Sequence, residues 1–295
     1  MSDTRLLVNY PPDPNPRPPK FKPPPGTCDS HFHIYGPPHP FPYVENRRST
    51  PPAAPIEHYL AMAAVLGMER GVLVASNVHG FETEMVLDGI ARGEGRLRGV
   101  INADPDLTAA QIKALHAGGI SGMRFNFTGA HGRAFVEDDF FRALAKFDHL
   151  PWSADLHIDL DVVVTQADAF ARASVPVVID HFARADGSKG IDDPDFRVLL
   201  DLLAGGNVWM KISGADRLMM RGARFADIKA MARALIARAP DRIIWGTDWP
   251  HSERYKPGEM PNDGDLLDMM TDYAPDEAPR KKILVENPKA LFGFE

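Results

Sequence analysis

From residue 27 onward the apolar positions change rhythm again and again. Short runs rich in Val, Ile and Leu give way to longer stretches with apolar residues three and four apart. The first kind of pattern predicts buried strands and the second predicts amphipathic helices. The first strand ends at His33. The next are Gly71–Ala75, Leu97–Ile101, Ile120–Phe125, Trp152–Ile158, Val175–Asp180, Val208–Ile212 and Arg242–Trp245. Helices are expected at about 56–68, up to about 92, and at about 108–117, 137–147, 161–173, 194–204, 224–238, 263–273 and 276–285. Strands that alternate with helices imply a parallel sheet. Eight such units imply an α/β protein with a closed (β/α)8 TIM barrel. A doubly wound open sheet would want a Gly-rich nucleotide turn after its first strand, and here that place holds His31-Phe32-His33.

Residues 1–26 break the pattern. They carry nine of the 27 prolines, which remove amide donors and fix φ, so no helix or central strand is expected there. The expectation is an extended arm, on the barrel or on a partner subunit in a homo-oligomer, followed by one barrel domain over 27–295. The loop from Ile34 to Pro55, with Tyr43, Arg47 and Arg48, is long enough for a lid over a pocket. Loops 128–136 and 252–263 would complete that pocket's rim.

Composition narrows the function. The chain has 295 residues, 44% apolar and 25% charged, with a net charge of −7. An acidic chain offers no overall field to attract nucleic acid or a membrane surface. Cys28 is the only cysteine, which suits a reducing, cytoplasmic setting. The first residues are too short and too charged for a signal peptide, and no apolar run reaches the length of a membrane helix.

The titratable residues collect where a barrel of this kind keeps its active site, at the C-terminal strand ends. His31 and His33 end the first strand, two apart and therefore on one face. Ser76 and His79 follow the second, Arg124 ends the fourth, and His157 lies on the fifth. His181 and Arg184 follow the sixth, Arg217 the seventh, and Asp248 and His251 the eighth. Six of the 11 histidines are among them; His39, His58, His116, His131 and His149 read as solvated. Arg124, Arg184 and Arg217 at one barrel mouth suit bidentate binding of carboxylates, unless each is neutralised by a neighbouring acid such as Asp180, Asp186 or Asp216. Lys211, in mid-strand, reads as an interior lysine paired with an acid.

His31-Phe32-His33, His157, Asp180-His181, Gly246-Thr247-Asp248-Trp249-Pro250 and the closing Asn287-Pro288…Leu291-Phe292 resemble the amidohydrolase superfamily. Arg124-Phe125-Asn126-Phe127, Ile179-Asp180-His181 with Arg184, Asp216-Arg217-Leu218 and Trp245 to His251 are similar to its branch containing 2-pyrone-4,6-dicarboxylate lactonase. The resemblance implies a single divalent ion, zinc, on His31, His33, His157 and Asp248. It also implies His181 as proton shuttle or carbonyl polariser and Asp248 as general base toward water. Some lactonases of the branch lack a histidine on strand five and work without metal, so His157 is a departure.

The expected activity is opening of a carboxylate-bearing lactone, of pyrone dicarboxylate or muconolactone type, in catabolism of aromatic or sugar acids. Asp248 and His181 would be catalytic. Arg124, Arg184, Arg217, His251, Ser76, His79 and Arg47 would bind a small anionic mono- or dicarboxylate. Two other readings stand beside it: a metal-dependent aromatic acid decarboxylase or lactone isomerase on the same scaffold, and a barrel that only binds organic acids.

Overall fold

Every barrel strand has neighbours on both faces, so most are apolar runs, while the first (Cys28-Asp29-Ser30-His31-Phe32) and fifth (Ser153-Ala154-Asp155-Leu156-His157) turn polar side chains into the barrel. The computed structural model describes residues 7–36, 40–47, 49–128 and 134–295. Within them the strands are β1 (Cys28–Phe32), β2 (Arg70–Val74), β3 (Leu97–Asn102), β4 (Ile120–Asn126), β5 (Ser153–His157), β6 (Val177–Ile179), β7 (Val208–Lys211) and β8 (Ile243–Ile244). They pair in parallel in that order from β1 to β8. The ring closes through backbone bonds from Ser30 N–H to the Trp245 carbonyl (2.9 Å) and from Asp248 N–H to the His31 carbonyl (2.8 Å). The (β/α)8 barrel expected from the pattern is therefore the fold. Gly246 makes the closure possible: a Cβ there would lie 2.5 Å from the His31 nitrogen and 2.8 Å from its Cβ, closer than two chains tolerate.

The core has two shells. Leu73, Ile101, Met123, Leu156, Ile179, Met210 and Ile243 face outward into the helix layer. Inside the barrel, Cys28, Val72, Val74, Val100, Val178 and Ile244 pack on Leu291, Phe292 and Phe294, so the end of the chain plugs the bottom of the ring. Burying each such side chain stabilises the fold by about 1.5–3 kcal/mol. The helices follow the sequence pattern closely. They are α1 (Ile56–Leu66), α2 (Glu84–Arg92), α3 (Ala109–Ala117), α4 (Glu137–Leu144), α5 (Leu160–Thr165), α6 (Ala167–Ala171), α7 (Pro194–Ala204), α8 (Ala215–Met220), α9 (Phe225–Arg238), α10 (Asp263–Tyr273), α11 (Glu277–Lys281) and α12 (Asn287–Phe292). One expected helix, 161–173, breaks at Gln166, whose φ of −114° is not helical. Another, α8, stands where a loop was expected: Gly214 at φ +70° turns the chain straight from β7 into it.

The arm is extended where it is described. Leu7–Val8 pairs in parallel with Ser49–Thr50 of the long first loop. Among the described residues no helix is long and apolar enough to cross a membrane. Arg48, His39, His131, the start of the arm (1–6) and part of the 128–136 loop (129–133) lie outside the described residues.

Candidate active site

The site begins with the alternation of β1. Phe32 points outward and stacks on Tyr59 of α1, ring centroids 3.4 Å apart. His31 and His33 point inward, and their Nε2 atoms are 3.3 Å apart. The turn after β8 brings Asp248 across the seam. Its Oδ1 lies 3.7 Å from His31 Nε2, 3.6 Å from His33 Nε2 and 3.8 Å from His181 Nε2. Asp248 and His181 both hold left-handed backbone, at φ +62° and +51°, and non-glycine residues keep that strain only where packing imposes it. His33 donates its Nδ1 proton to the Val74 carbonyl (2.7 Å), which leaves the Nε2 lone pair facing Asp248. Ser213 Oγ holds His181 Nδ1 at 2.8 Å.

Charge is balanced pair by pair. Arg217 Nε donates to Asp248 Oδ2 at 2.5 Å. Arg124 donates through Nε and NH2 to Asp180 Oδ2 (3.2 and 3.1 Å). Lys211 Nζ lies 2.5 Å from Asp155 Oδ2 and 3.1 Å from Asp180 Oδ1. Burial alone would raise the Asp248 carboxyl, but Arg217 and then His181 outweigh it and hold it well below the usual range. Burial likewise opposes the charge on Lys211, and Asp155 and Asp180 overcome it. Burial pushes His181 and His79 down to about 4, and it holds His31 and His157 well below the usual imidazole range.

These shifts set an acid limit on stability. A histidine whose folded pKa is depressed binds fewer protons than it does unfolded. Its share of stability is therefore complete above about pH 6.5 and is lost as pH falls toward the folded value. For the buried His181 the loss is on the order of 3 kcal/mol. Asp29, pushed up to about 7 by burial, works in the opposite sense, as do Asp155, raised by burial, and His251, which burial would lower but Asp263 raises, but the four depressed histidines outnumber these three groups. The melting temperature should fall steadily between pH 7 and pH 5, read by circular dichroism; a flat profile would contradict the neutral-histidine site.

The cluster meets the demands of a divalent ion. His31 Nε2, His33 Nε2 and Asp248 Oδ1 form a triangle with edges of 3.3–3.7 Å. Ligands at zinc-like distances around a tetrahedral centre sit about 3.4 Å from one another. Asp248 Oδ1 is buried and has no hydrogen-bond partner, the state of a ligand atom reserved for a cation. His31 would then carry its proton on Nδ1, toward Asp180 Oδ1 at 3.4 Å. Asp180 and His181 make a second candidate group with His31.

His157, expected as a fourth ligand, is not brought into either group. Its Nε2 faces the Arg184 guanidinium at 3.3 Å, and its ring lies edge-on to that of His181, 5.9 Å away.

A cavity of about 420 Å3 opens over the cluster, lined by His33, His157, His181, Arg217 and Asp248 among others. Ser76, Arg47, Arg124 and Arg184 also line it. A larger cavity, about 770 Å3, lies on the far side of Arg124 beside Phe125, Phe127 and Phe140. It holds none of the acid–base groups described here, so the smaller one is the candidate site. Two expected substrate contacts are not at its wall. His251 is buried because its Nε2 is drawn onto Asp263 Oδ1 (2.9 Å) at the start of α10. His79 is held against the Pro42 carbonyl (3.3 Å) beneath Tyr43.

The sequence reading gave no role in the site to Asp155, Ser213, Tyr35 or Asn9. The first has a legible signal: Ser153, Asp155 and His157 alternate onto the inner face of β5, opposite Lys211. Asn9 has none, since it lies in the proline-rich arm.

A (β/α)8 barrel with paired histidines on its first strand, Asp-His after the sixth and Gly-Thr-Asp after the eighth is an amidohydrolase scaffold. The chain belongs to that family, matching the family described as amidohydrolase over residues 28–294. It is 41% identical over 275 residues to a 4-sulfomuconolactone hydrolase of Hydrogenophaga intermedia, covering 93% of this chain and 91% of that protein. It is 32% identical over 290 residues to a 2-pyrone-4,6-dicarboxylate hydrolase of Comamonas testosteroni, covering 95% and 94%. Among solved structures, a probable 2-pyrone-4,6-dicarboxylic acid hydrolase from Acinetobacter baumannii with citric acid bound superposes with a TM-score of 0.80. It is 28% identical and the match covers 91% of this chain and all of that one.

Proposed function

We propose that the protein is a cytoplasmic hydrolase that opens an anionic lactone, of muconolactone or pyrone dicarboxylate type, in the breakdown of aromatic acids. The observation that carries this reading is the placing of Asp248, an ionised carboxylate between three imidazoles and a guanidinium, at the floor of an arginine-lined cavity. The names of its relatives agree with it.

The chain's own groups divide the work. Arg124, Arg184 and Arg217 draw the substrate's anionic groups into the cavity. A substrate anion that shares Arg217 weakens its hold on Asp248, so the carboxylate becomes a better base when the site is filled. Asp248 then takes a proton from water as its oxygen adds to the lactone carbonyl carbon. His181, with Nδ1 on Ser213, can present Nε2–H to the carbonyl oxygen and stabilise the negative charge that develops there. The ring C–O bond breaks, and the proton on Asp248 passes to the departing oxygen. A divalent ion on His31, His33 and Asp248, zinc by its mixed imidazole and carboxylate donors, would supply Lewis-acid polarisation and a more acidic water.

The test is a panel of carboxylated and sulfonated lactones followed by ultraviolet absorbance, with protein purified without chelator and its metal content measured. Ring opening without release of carbon dioxide is expected, together with about one zinc per chain and loss of turnover on chelation. Carbon dioxide release from a hydroxybenzoate would replace the hydrolase by a decarboxylase. Full turnover after metal removal would leave Asp248 and His181 to act alone.

A further inference from the structure

The proline-rich arm reaches the cavity. Asn9 is one of its lining residues, near Arg47, Ser49 and Glu253. Its backbone is fixed on both sides. The Asn9 N–H donates to the Thr50 carbonyl (3.1 Å), and the next N–H, from Tyr10, donates to the Arg254 carbonyl (2.7 Å). Further along, Arg17 N–H bonds Asn262 Oδ1 (3.0 Å), and Asn262 Nδ2 bonds Asp13 Oδ2 (2.8 Å). Gly264 lets the arm lie flush on α10, because any Cβ there would collide with the Arg17 carbonyl oxygen.

Asn9 is only 5% exposed. Its carboxamide oxygen has no partner, and its Nδ2 reaches Ser49 Oγ only at 3.5 Å, the outer limit of a hydrogen bond. A buried amide left unmatched is uncommon and costly. Rotated half a turn, the same amide presents two N–H donors instead of an acceptor.

Arg47 sits on the first loop, two residues before Ser49. Its Nε donates to Thr50 Oγ1 (3.3 Å) and its NH1 to the Val44 carbonyl (3.1 Å). Among the described residues no carboxylate pairs with it, whereas Arg124, Arg184 and Arg217 are held by Asp180, Asp159 and Asp248. Among the described residues, the cavity's arginine without a carboxylate partner and its unmatched amide therefore lie at one corner, both bonded to Thr50.

We propose that Asn9 and Arg47 form a distal anion subsite, which binds the carboxylate or sulfonate farther from the reacting carbonyl and makes the arm part of the pocket. The proposal rests on the lactone reading for its substrate, but its test needs no turnover. Isophthalate, a ring with two carboxylates and no bond to hydrolyse, is titrated calorimetrically against the full chain, with benzoate as the single-carboxylate control. Asn9→Ala should weaken isophthalate about tenfold and leave benzoate within about twofold, at an unchanged melting temperature. Asn9→Asp, which adds a like charge, should weaken isophthalate more. Arg47→Ala combined with Asn9→Ala should cost less than the two single losses multiplied together.

Isophthalate affinity unchanged in Asn9→Ala, or equal losses for both probes, would overturn the subsite. Asn9-dependent isophthalate binding in a protein that opens no lactone keeps the subsite and removes the hydrolase. Lactone opening with a KM indifferent to Asn9 does the reverse.

Discussion

Asp248→Asn is expected to lower kcat for lactone opening by about 10²- to 10⁴-fold, the range for removal of a positioned general base. The amide matches the carboxylate in size, so the fold changes little, but it cannot take a proton from water. It also cannot balance Arg217, whose Nε lies 2.5 Å from Oδ2. That guanidinium becomes freer to hold a substrate anion, so KM should stay level or fall while kcat collapses. Isophthalate binding supplies the control for an intact pocket. A variant that keeps kcat within about threefold of the parent would show that another group activates the water. An unfolded variant would be seen at once in the isophthalate titration, and Asp248→Glu would then serve as the second probe.

The other large effect belongs to a residue that touches no substrate. Lys211 is fully buried in β7 between Asp155 and Asp180. Lys211→Met keeps the bulk and removes the charge, leaving two buried carboxylates with only Arg124 to balance them. Removing one partner from a buried ionic cluster costs about 3–5 kcal/mol, or about 6–10 °C in melting temperature for a chain of this size. Adding Asp155→Asn should restore part of the loss, because the orphaned charge goes with it. A melting temperature within about 1 °C of the parent would mean that the cluster is already neutralised by protonation.

Activity should suffer in the same variant, since Lys211 also holds Asp180 Oδ1 (3.1 Å), which faces His31 Nδ1 at 3.4 Å.

The barrel was legible because its signal is periodic. Most strands are apolar on both sides and each helix on one, and the eight repeats leave few arrangements open. His31 and His33 were legible for the same reason, through the two-residue period of a strand. Partners that come from elsewhere in the chain were not. Arg184 has near neighbours in Asp180 and Asp186 and Arg217 has one in Asp216, yet their acids are Asp159 and Asp248, and Arg124 takes Asp180, all delivered by other strand ends. His251 and His157 show the limit from the other side. Sequence places each at a strand end, but the imidazole turns toward whichever group tertiary packing puts nearest, Asp263 for one and Arg184 for the other. The arm gave no positional signal, because proline sets backbone angles without creating a face.

The joint that closes the ring is also the floor of the cavity. Gly246 leans on His31, and Asp248 bonds the His31 backbone while its side chain meets the two imidazoles. During synthesis, some two hundred residues therefore separate the first components of the centre from the last. A growing chain thus holds no complete cluster of His31, His33 and Asp248 until its final strand emerges and locks against its first.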